Sequence, residues 1–322
     1  MSTVVTTPTP IQTATSVRAG KPSFFGLVRG ELFKVRHLWS TWIMMTILAL
    51  AIIGPYIIFL SVGNLADQLR IDPLHQLYTV TEVGLTVLRI FSGFFLLAIT
   101  AIMIVREYQL GTIRILLARG IGRLQLLSAK LLATTIVGLL MLIGGIALTA
   151  LMVVIVVAIS AGNLNALQSL NSQFWSDIWV LVLTLLVNMG VTILLATAAA
   201  VIGRSSAFGL AAALVFFPLD NIGTGIMQLA FLITHNDFWL NITAYFLGPN
   251  LNAMSKALVS TFHSVGATPI SFLAPDPANP AAPPQLHGTV VDGTHTLVVA
   301  LVYAVIFATV AIVLTWKRDV KE

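Results

Sequence analysis

The sequence contains no cysteine, and only 9% of its 322 residues are charged. Without cysteine, the chain has no disulfides, no thiolate metal sites and no cysteine nucleophiles. Few charges, with a hydrophobic content of 57% and a mean hydropathy of +0.96, exclude a soluble globular domain, in which about a quarter of the residues are charged. We therefore predict an integral membrane protein.

Motifs that bind nucleotides or build hydrolase sites are absent from the sequence as well. No Gly-x-x-x-x-Gly-Lys-Ser/Thr occurs, so the chain has no phosphate-binding loop of its own, and neither Gly-x-Ser-x-Gly nor His-Glu-x-x-His occurs. His287, Asp292 and His295 share a loop, but two histidines at loose spacing without cysteine form a poor zinc pattern. We predict no catalytic residue, no metal site and no cofactor in this chain.

Six apolar runs reach the length of about 20 residues that a membrane-spanning helix needs. They cover residues 41–62, 84–105, 131–160, 178–202, 208–233 and 296–316. The pattern predicts an all-α integral membrane protein whose transmembrane domain occupies residues 41–316.

Three segments outside the apolar runs have their own composition. Residues 1–22 are polar and rich in threonine, which predicts a disordered arm without a cleavable signal peptide. The connection 234–295 contains a proline-rich part, 268–285, in which we expect no regular helix and no central strand. Residues 317–322 form a short tail.

The positively charged residues fall mainly on one side of this topology. Of the 17 lysines and arginines, fourteen precede the first run, follow the last, or lie in the second and fourth connections. Arg70 and Lys256 lie on the other side, and Arg89 lies within a run. By the positive-inside rule, the basic side and both termini face the cytoplasm of a cell membrane, and the loop 234–295 is external.

Residues 23–40 show the pattern of a helix that lies in the membrane interface. Their large apolar residues occupy a narrow arc of a helical wheel: Phe24, Val28, Leu32, Val35 and Trp39. Glu31 is spaced to pair with Lys34 at i, i+3, and Arg36 borders the apolar arc. The segment predicts an amphipathic helix that turns into the first span.

A polar, basic segment, 106–130, separates the second and third spans. In a helix, Leu110, Ile113 and Leu117 would share one face, and another face would carry Glu107, Gly111, Arg114 and Ala118. We therefore predict a short amphipathic helix across the end of a span. The simpler interpretation, a solvated positive loop that only sets topology, explains neither the acidic residue that opens the segment nor the Gly111-Thr112 interruption.

These two segments resemble parts of ABC-2 type transporter permeases. The segment 106–130 resembles their first cytoplasmic loop, and residues 30–36 resemble their N-terminal elbow helix. The resemblance extends over about 24–316 and implies a type V exporter-like transmembrane fold. It also implies that the loop is a coupling helix that docks on a separate ATPase subunit, which binds ATP and Mg²⁺. The residues that would carry this coupling are Glu107, Gly111, Thr112, Arg114, Leu117, Arg119 and Arg123.

Two charged residues are predicted inside the spans. Arg89 needs a protein or water partner, and both Glu82, seven residues earlier, and Asp220 in the fifth span are candidates. A pair formed with either acid fits a translocation path or a structural tie between spans. The sequence leaves both interpretations open.

Three functions are compatible with the sequence. The first is the permease subunit of an ATP-driven transporter, an exporter of a hydrophobic or amphipathic substrate. It would work with two ATPase copies and with a second copy of itself or a related permease. The second is an ion-gradient-driven secondary transporter or channel with a relay of Arg89, Glu82 and Asp220, although the spans show few charges and no inverted repeat. The third is a membrane scaffold without transport activity.

Overall fold

The structure is a computed structural model that describes residues 23–61, 65–109, 111, 115–116, 118, 120–203, 206–259, 272–274, 285–287, 289 and 291–317. Six long helices form a bundle: α2 (Trp39–Ser61), α4 (Pro73–Gln109), α5 (Arg123–Ala161), α6 (Ser172–Gly203), α7 (Ser206–Thr234) and α10 (Gly293–Lys317). All six are long and apolar enough to cross a membrane. The prediction of an all-α protein with six membrane-spanning helices is confirmed.

Shorter elements connect the long helices. They are α1 (Phe24–His37), α3 (Leu65–Ile71), a 3₁₀ helix (Asn165–Ser169), α8 (Phe238–Thr243) and α9 (Leu247–Leu258). Strands β1 (Phe272–Ala274) and β2 (Gln285–His287) form an antiparallel pair in which Phe272 lies opposite His287. Strand β1 lies within the proline-rich part 268–285, and β2 begins at its last residue; the other residues of this part lie outside the described residues.

The centre of the bundle is formed by α4 and α6. In the most apolar 18-residue stretch of each helix, 56% of the residues are buried in α4 and 50% in α6, compared with 7% in α7. Two glycines allow close packing around α4: a Cβ at Gly84 would lie 2.1 Å from the Tyr56 hydroxyl of α2, and one at Gly145 of α5 would lie 2.3 Å from a Leu88 methyl. α4 therefore packs against α2, α5, α6 and α7, whereas α10 packs mainly against α6.

Helix α4 is longer than the span predicted at 84–105. It begins at Pro73, a residue type favoured in the first helical turn, and the side chain of Asp72 accepts a hydrogen bond from the His75 N–H at 3.2 Å. At about 1.5 Å per residue, its 37 residues extend about 55 Å, well beyond a hydrocarbon layer of about 30 Å. The first turns of α4 therefore project past the membrane region.

The chain direction gives the bundle two distinct ends. The basic end carries α1, Arg106 near the end of α4, Arg123 at the start of α5 and Lys317 at the end of α10. The opposite end carries α3, the 3₁₀ helix, α8 and α9. Each end contains a cluster of buried or half-buried polar side chains.

Candidate functional site

A buried ion pair joins three helices at the basic end. Glu31 in α1 and Lys130 in α5 are each 4% exposed. Lys130 Nζ donates to Glu31 Oε2 at 3.3 Å and to the carbonyl oxygen of Met103 in α4 at 2.5 Å. This set of contacts, hereafter the basic-end lock, therefore ties α1, α4 and α5 together.

The position of Lys130 is favourable for two physical reasons. The Met103 carbonyl accepts one hydrogen bond from the ammonium group, since a carbonyl oxygen has a second lone pair besides the one used within the helix. The carboxylate of Glu31 supplies the opposite charge that a buried ammonium group requires. Thr134 Oγ1 donates to the Lys130 carbonyl at 2.9 Å and packs on the Met103 sulfur, which completes the polar cluster.

The predicted contact between Glu31 and Lys34 is confirmed, because Lys34 Nζ donates to Glu31 Oε1 at 2.6 Å. Lys34 is half exposed, however, so this contact lies at the edge of the cluster. Arg36 is exposed on α1, and its carbonyl accepts a hydrogen bond from the Trp42 indole at 3.0 Å. Sequence inspection missed Lys130 as a partner of Glu31, since the two residues are distant in the chain.

The predicted amphipathic helix through Glu107, Gly111, Arg114 and Ala118 is wrong as a continuous element. α4 extends to Gln109 and so includes Glu107, and Gly111 has a φ of +66°, which no right-handed helix contains. Glycine at this position ends α4 in the way that glycine commonly ends helices. Arg123 belongs to the first turn of α5.

The central part of the basic segment is described only in part. Ile115, Leu116 and Ala118 are helical. The coupling candidates Thr112, Arg114, Leu117 and Arg119 lie outside the described residues, as does the side chain of Glu107. The coupling roles proposed for these residues stay predictions.

A small apolar cluster seats this segment on the bundle. Leu116 and Leu27 of α1 both pack against the buried pair of Ile121 and Leu126, the latter in α5. The Ile121 N–H also donates to the Leu116 carbonyl at 3.4 Å. Ile115, the neighbour of Leu116, is 57% exposed. The segment therefore rests on α1 and α5 with one side and presents another side to its surroundings.

At the opposite end, Arg89 and Asp220 do not form the ion pair that we weighed as one possibility. Arg89 Nη1 donates to the carbonyl oxygen of Leu251 in α9 at 3.2 Å, and Asp220 Oδ2 accepts a hydrogen bond from the Gly248 N–H, also in α9. Glu82 is close enough to attract Arg89 electrostatically. The two charged side chains therefore hold a short helix between them instead of binding each other.

Asp220 acts as a helix cap supplied by another helix. The first residues of α9 have N–H groups without partners inside the helix, and its N-cap residue, Phe246, makes no side-chain cap bond. The Asp220 carboxylate satisfies one of these groups and complements the positive end of the helix dipole. A Cβ at position 248 would lie 2.8 Å from Asp220 Oδ2, so the absence of a side chain at Gly248 permits this approach.

The residues weighed as a metal set have other contacts. Asp292 Oδ1 accepts a hydrogen bond from the His295 N–H at 2.7 Å, and the His295 ring contacts the Ala244 carbonyl at 2.8 Å. The side chain of His287 lies outside the described residues. Within the part of the chain that the structure describes, no group of three or more metal-ligating side chains occurs.

One protein-family model matches the part of the chain that contains most of these features. The family model described as ABC-2 family transporter protein matches residues 27–220, which include the basic-end lock, the basic segment, Arg89 and Asp220, but not α9. No curated protein matches the chain. Because the family model matches more than half of the chain and the structure has six helices that can span a membrane, the chain belongs to the ABC-2 family of transporter proteins.

Proposed function

We propose that the chain is the permease subunit of an ATP-driven exporter, coupled to a separate ATPase through the segment 106–130. Membership of the ABC-2 family supports a transporter system with a partner ATPase. In the proposed complex, two permease chains, identical or related, form the pathway, and two ATPase copies bind ATP and Mg²⁺. The basic end and both termini face the cytoplasm, as the positive-inside rule predicts.

The observation that carries this proposal is the basic-end lock. It lies where the segment 106–130 joins the bundle, and it links α1 to the end of α4 and the start of α5. A force applied to the segment would therefore move three helices together. The apolar cluster of Ile121 and Leu126, against which Leu116 and Leu27 pack, provides a second connection between the same parts.

Coupling also requires that the ATPase binds the segment differently in its two states, because a contact of equal strength in both states shifts no equilibrium. In the proposed cycle, closure of the ATPase pair pushes on the basic segment. α4 and α5 then tilt as a unit with α1. As a result, the pathway between the two permeases opens to the other side of the membrane.

The proposal is tested by co-expressing the full chain with its ATPase. The double variant Glu107→Ala with Arg114→Ala should lose both copurification and transport-stimulated ATP hydrolysis, because it removes two charges from the proposed contact. The control is Arg70→Ala, which removes an exposed arginine at the opposite end and should retain both. Unchanged copurification and hydrolysis in the double variant would contradict the coupling assignment.

A gradient-driven carrier remains the alternative, and reconstitution separates the two. The isolated chain in liposomes should move no substrate under a proton or sodium gradient unless the ATPase is present. The bonds of Arg89 and Asp220 to backbone groups of α9 favour an anchoring role over a proton or ion relay. Gradient-driven flux by the isolated chain would refute the proposal.

A further inference from the structure

A cleft of about 230 Å³ lies between α4, α6 and α9 at the opposite end of the bundle. Its polar lining is contributed by Arg89 of α4, Asn188 and Thr192 of α6, and Asn252 of α9. The helix that Arg89 and Asp220 hold in place, α9, thus forms one wall of this cleft.

The polar side chains of the cleft are rich in hydrogen-bond donors. The guanidinium of Arg89 has five N–H donors, and its one hydrogen bond to a described residue is the contact with the Leu251 carbonyl. Thr192 Oγ1 donates to Asn188 Oδ1 at 3.3 Å, so the amide oxygen of Asn188 already accepts one hydrogen bond, while its amide N–H₂ makes no described bond. A permanent positive charge beside amide donors suits an anion with several acceptor oxygens.

The rest of the lining is apolar and open. Ile90 and Phe94 of α4 line the cleft and are each 43% exposed, so the described residues do not close this side. Gly93 lies between them, and a Cβ at this position would meet no atom within 4 Å. The cleft therefore combines a cationic polar wall with a free apolar side, which fits a molecule that has both an anionic group and a hydrocarbon chain.

Arg89 lies just inside the far boundary of the membrane region, where its long side chain can reach a lipid headgroup. Arg89 precedes Arg106 by 17 residues, which is about 25 Å along the helix. If Arg106 marks the membrane surface at the basic end, Arg89 lies close to the far boundary of a hydrocarbon layer of about 30 Å.

Two carboxylates of neighbouring residues could compete with an anion for Arg89. Glu82 attracts Arg89, and Asp220 is bonded to Gly248, but neither carboxylate lines the cleft.

We propose that this cleft binds a phosphate-bearing anionic lipid. The headgroup would contact Arg89, Asn188 and Asn252, and the hydrocarbon chain of the lipid would lie along Ile90 and Phe94. One consequence of this inference, that the transported substrate is an anionic amphiphile, rests on the proposed transport function. Binding itself requires only the isolated chain.

The test is native mass spectrometry of the full-length chain in detergent, titrated with dioleoyl phosphatidylglycerol. The chain should retain this lipid, and Arg89→Gln should lower the affinity about tenfold or more, the factor that a charge-assisted contact of about 1.4 kcal/mol represents. Arg89→Lys, which keeps the charge without the planar fork, should show a smaller loss. The matched control is Arg70→Gln, an exposed arginine at the same end, which should bind as the original chain does.

A second variant keeps Arg89 and blocks the space instead. Gly93→Leu should lower lipid binding because its side chain enters the cleft. Gly144→Leu in α5 also meets no atom within 4 Å of its Cβ and lies outside the cleft, so it should have no effect. Both variants should keep the melting temperature of the original chain, which separates blocking from misfolding.

Other outcomes would overturn the inference. Equal retention of dioleoyl phosphatidylcholine would show that the anionic charge is not recognised, and an equal loss with Arg70→Gln would assign the effect to general surface charge. Displacement of the lipid by equimolar inorganic phosphate would assign the cleft to a free anion. Failure of lipid binding with intact ATPase copurification would refute this inference alone, whereas lipid binding without ATPase copurification would refute the coupling proposal alone.

Discussion

At the basic end, Lys130 is held by a side-chain carboxylate and a carbonyl from two other helices, whereas at the opposite end Arg89 and Asp220 each contact a single backbone group of α9. If α1 moved away from α5, a buried charge would lose its partner, and that loss is strongly unfavourable. A shift of α9 would break single hydrogen bonds at half-buried groups, with a smaller loss of free energy. We therefore expect the basic end to move as one body and the opposite end to rearrange.

The largest effect should follow from breaking the basic-end lock. Lys130→Ala should lower the free energy of unfolding by about 3–5 kcal/mol, nearer the lower value because Lys34 still contacts Glu31. Thermal unfolding of the detergent-purified chain measures the change. The double variant Glu31→Met with Lys130→Met should recover most of the stability, because it leaves no buried charge unpaired. A double variant as unstable as Lys130→Ala would show that packing, not charge, dominates this contact.

An intermediate effect is expected from the cap on α9. Asp220→Ala should lower the free energy of unfolding by about 1–3 kcal/mol, because the Gly248 N–H loses its acceptor in a partly buried site. Hydrogen exchange should become faster in α9 and stay unchanged in α1. Asp67→Ala, an exposed acid in α3 at the same end, should leave exchange in α9 unaltered. Equal hydrogen exchange of α9 in the original chain and in both variants would contradict the capping role of Asp220.

The smallest effect is expected from Lys34, the half-exposed partner of Glu31. Lys34→Ala should lower the free energy of unfolding by about 0.2–1 kcal/mol, since solvent screens a surface ion pair. The difference should shrink further at high salt, whereas the effect of Lys130→Ala should not. If Lys34→Ala lowered the free energy of unfolding as much as Lys130→Ala does, the exposed and the buried contacts of Glu31 would be equally strong, contrary to this expectation.

Part of the candidate site was predictable from local spacing. Glu31 and Lys34 are three residues apart on a helix, so their pairing follows from helical geometry alone. The end of α4 was harder to predict: the periodicity of residues 107–118 fits one helix, but the left-handed backbone of Gly111 divides it. A hydrophobic pattern reports which residues could share a face, and it does not report where a glycine will end the helix.

The partners of the buried charges were not predictable in the same way. A charge inside a span was expected to have an acidic partner, and Asp220 was a reasonable candidate for Arg89. The structure satisfies both side chains with backbone groups of α9, a helix of twelve residues whose sequence carries no sign of this contact. Every residue contributes a backbone acceptor, and every residue except proline a donor, so composition cannot reveal which of them a side chain will bind.

The sequence by itself determined that this protein crosses a membrane with six helices, because runs of apolar residues in hydrocarbon must satisfy their backbone hydrogen bonds within each helix. Only the tertiary structure decided that Lys130 meets Glu31 and Met103, and that α9 is held between Arg89 and Asp220. The physical reason is distance along the chain. A span depends on the composition of about 20 neighbouring residues, whereas these contacts depend on how separate helices pack.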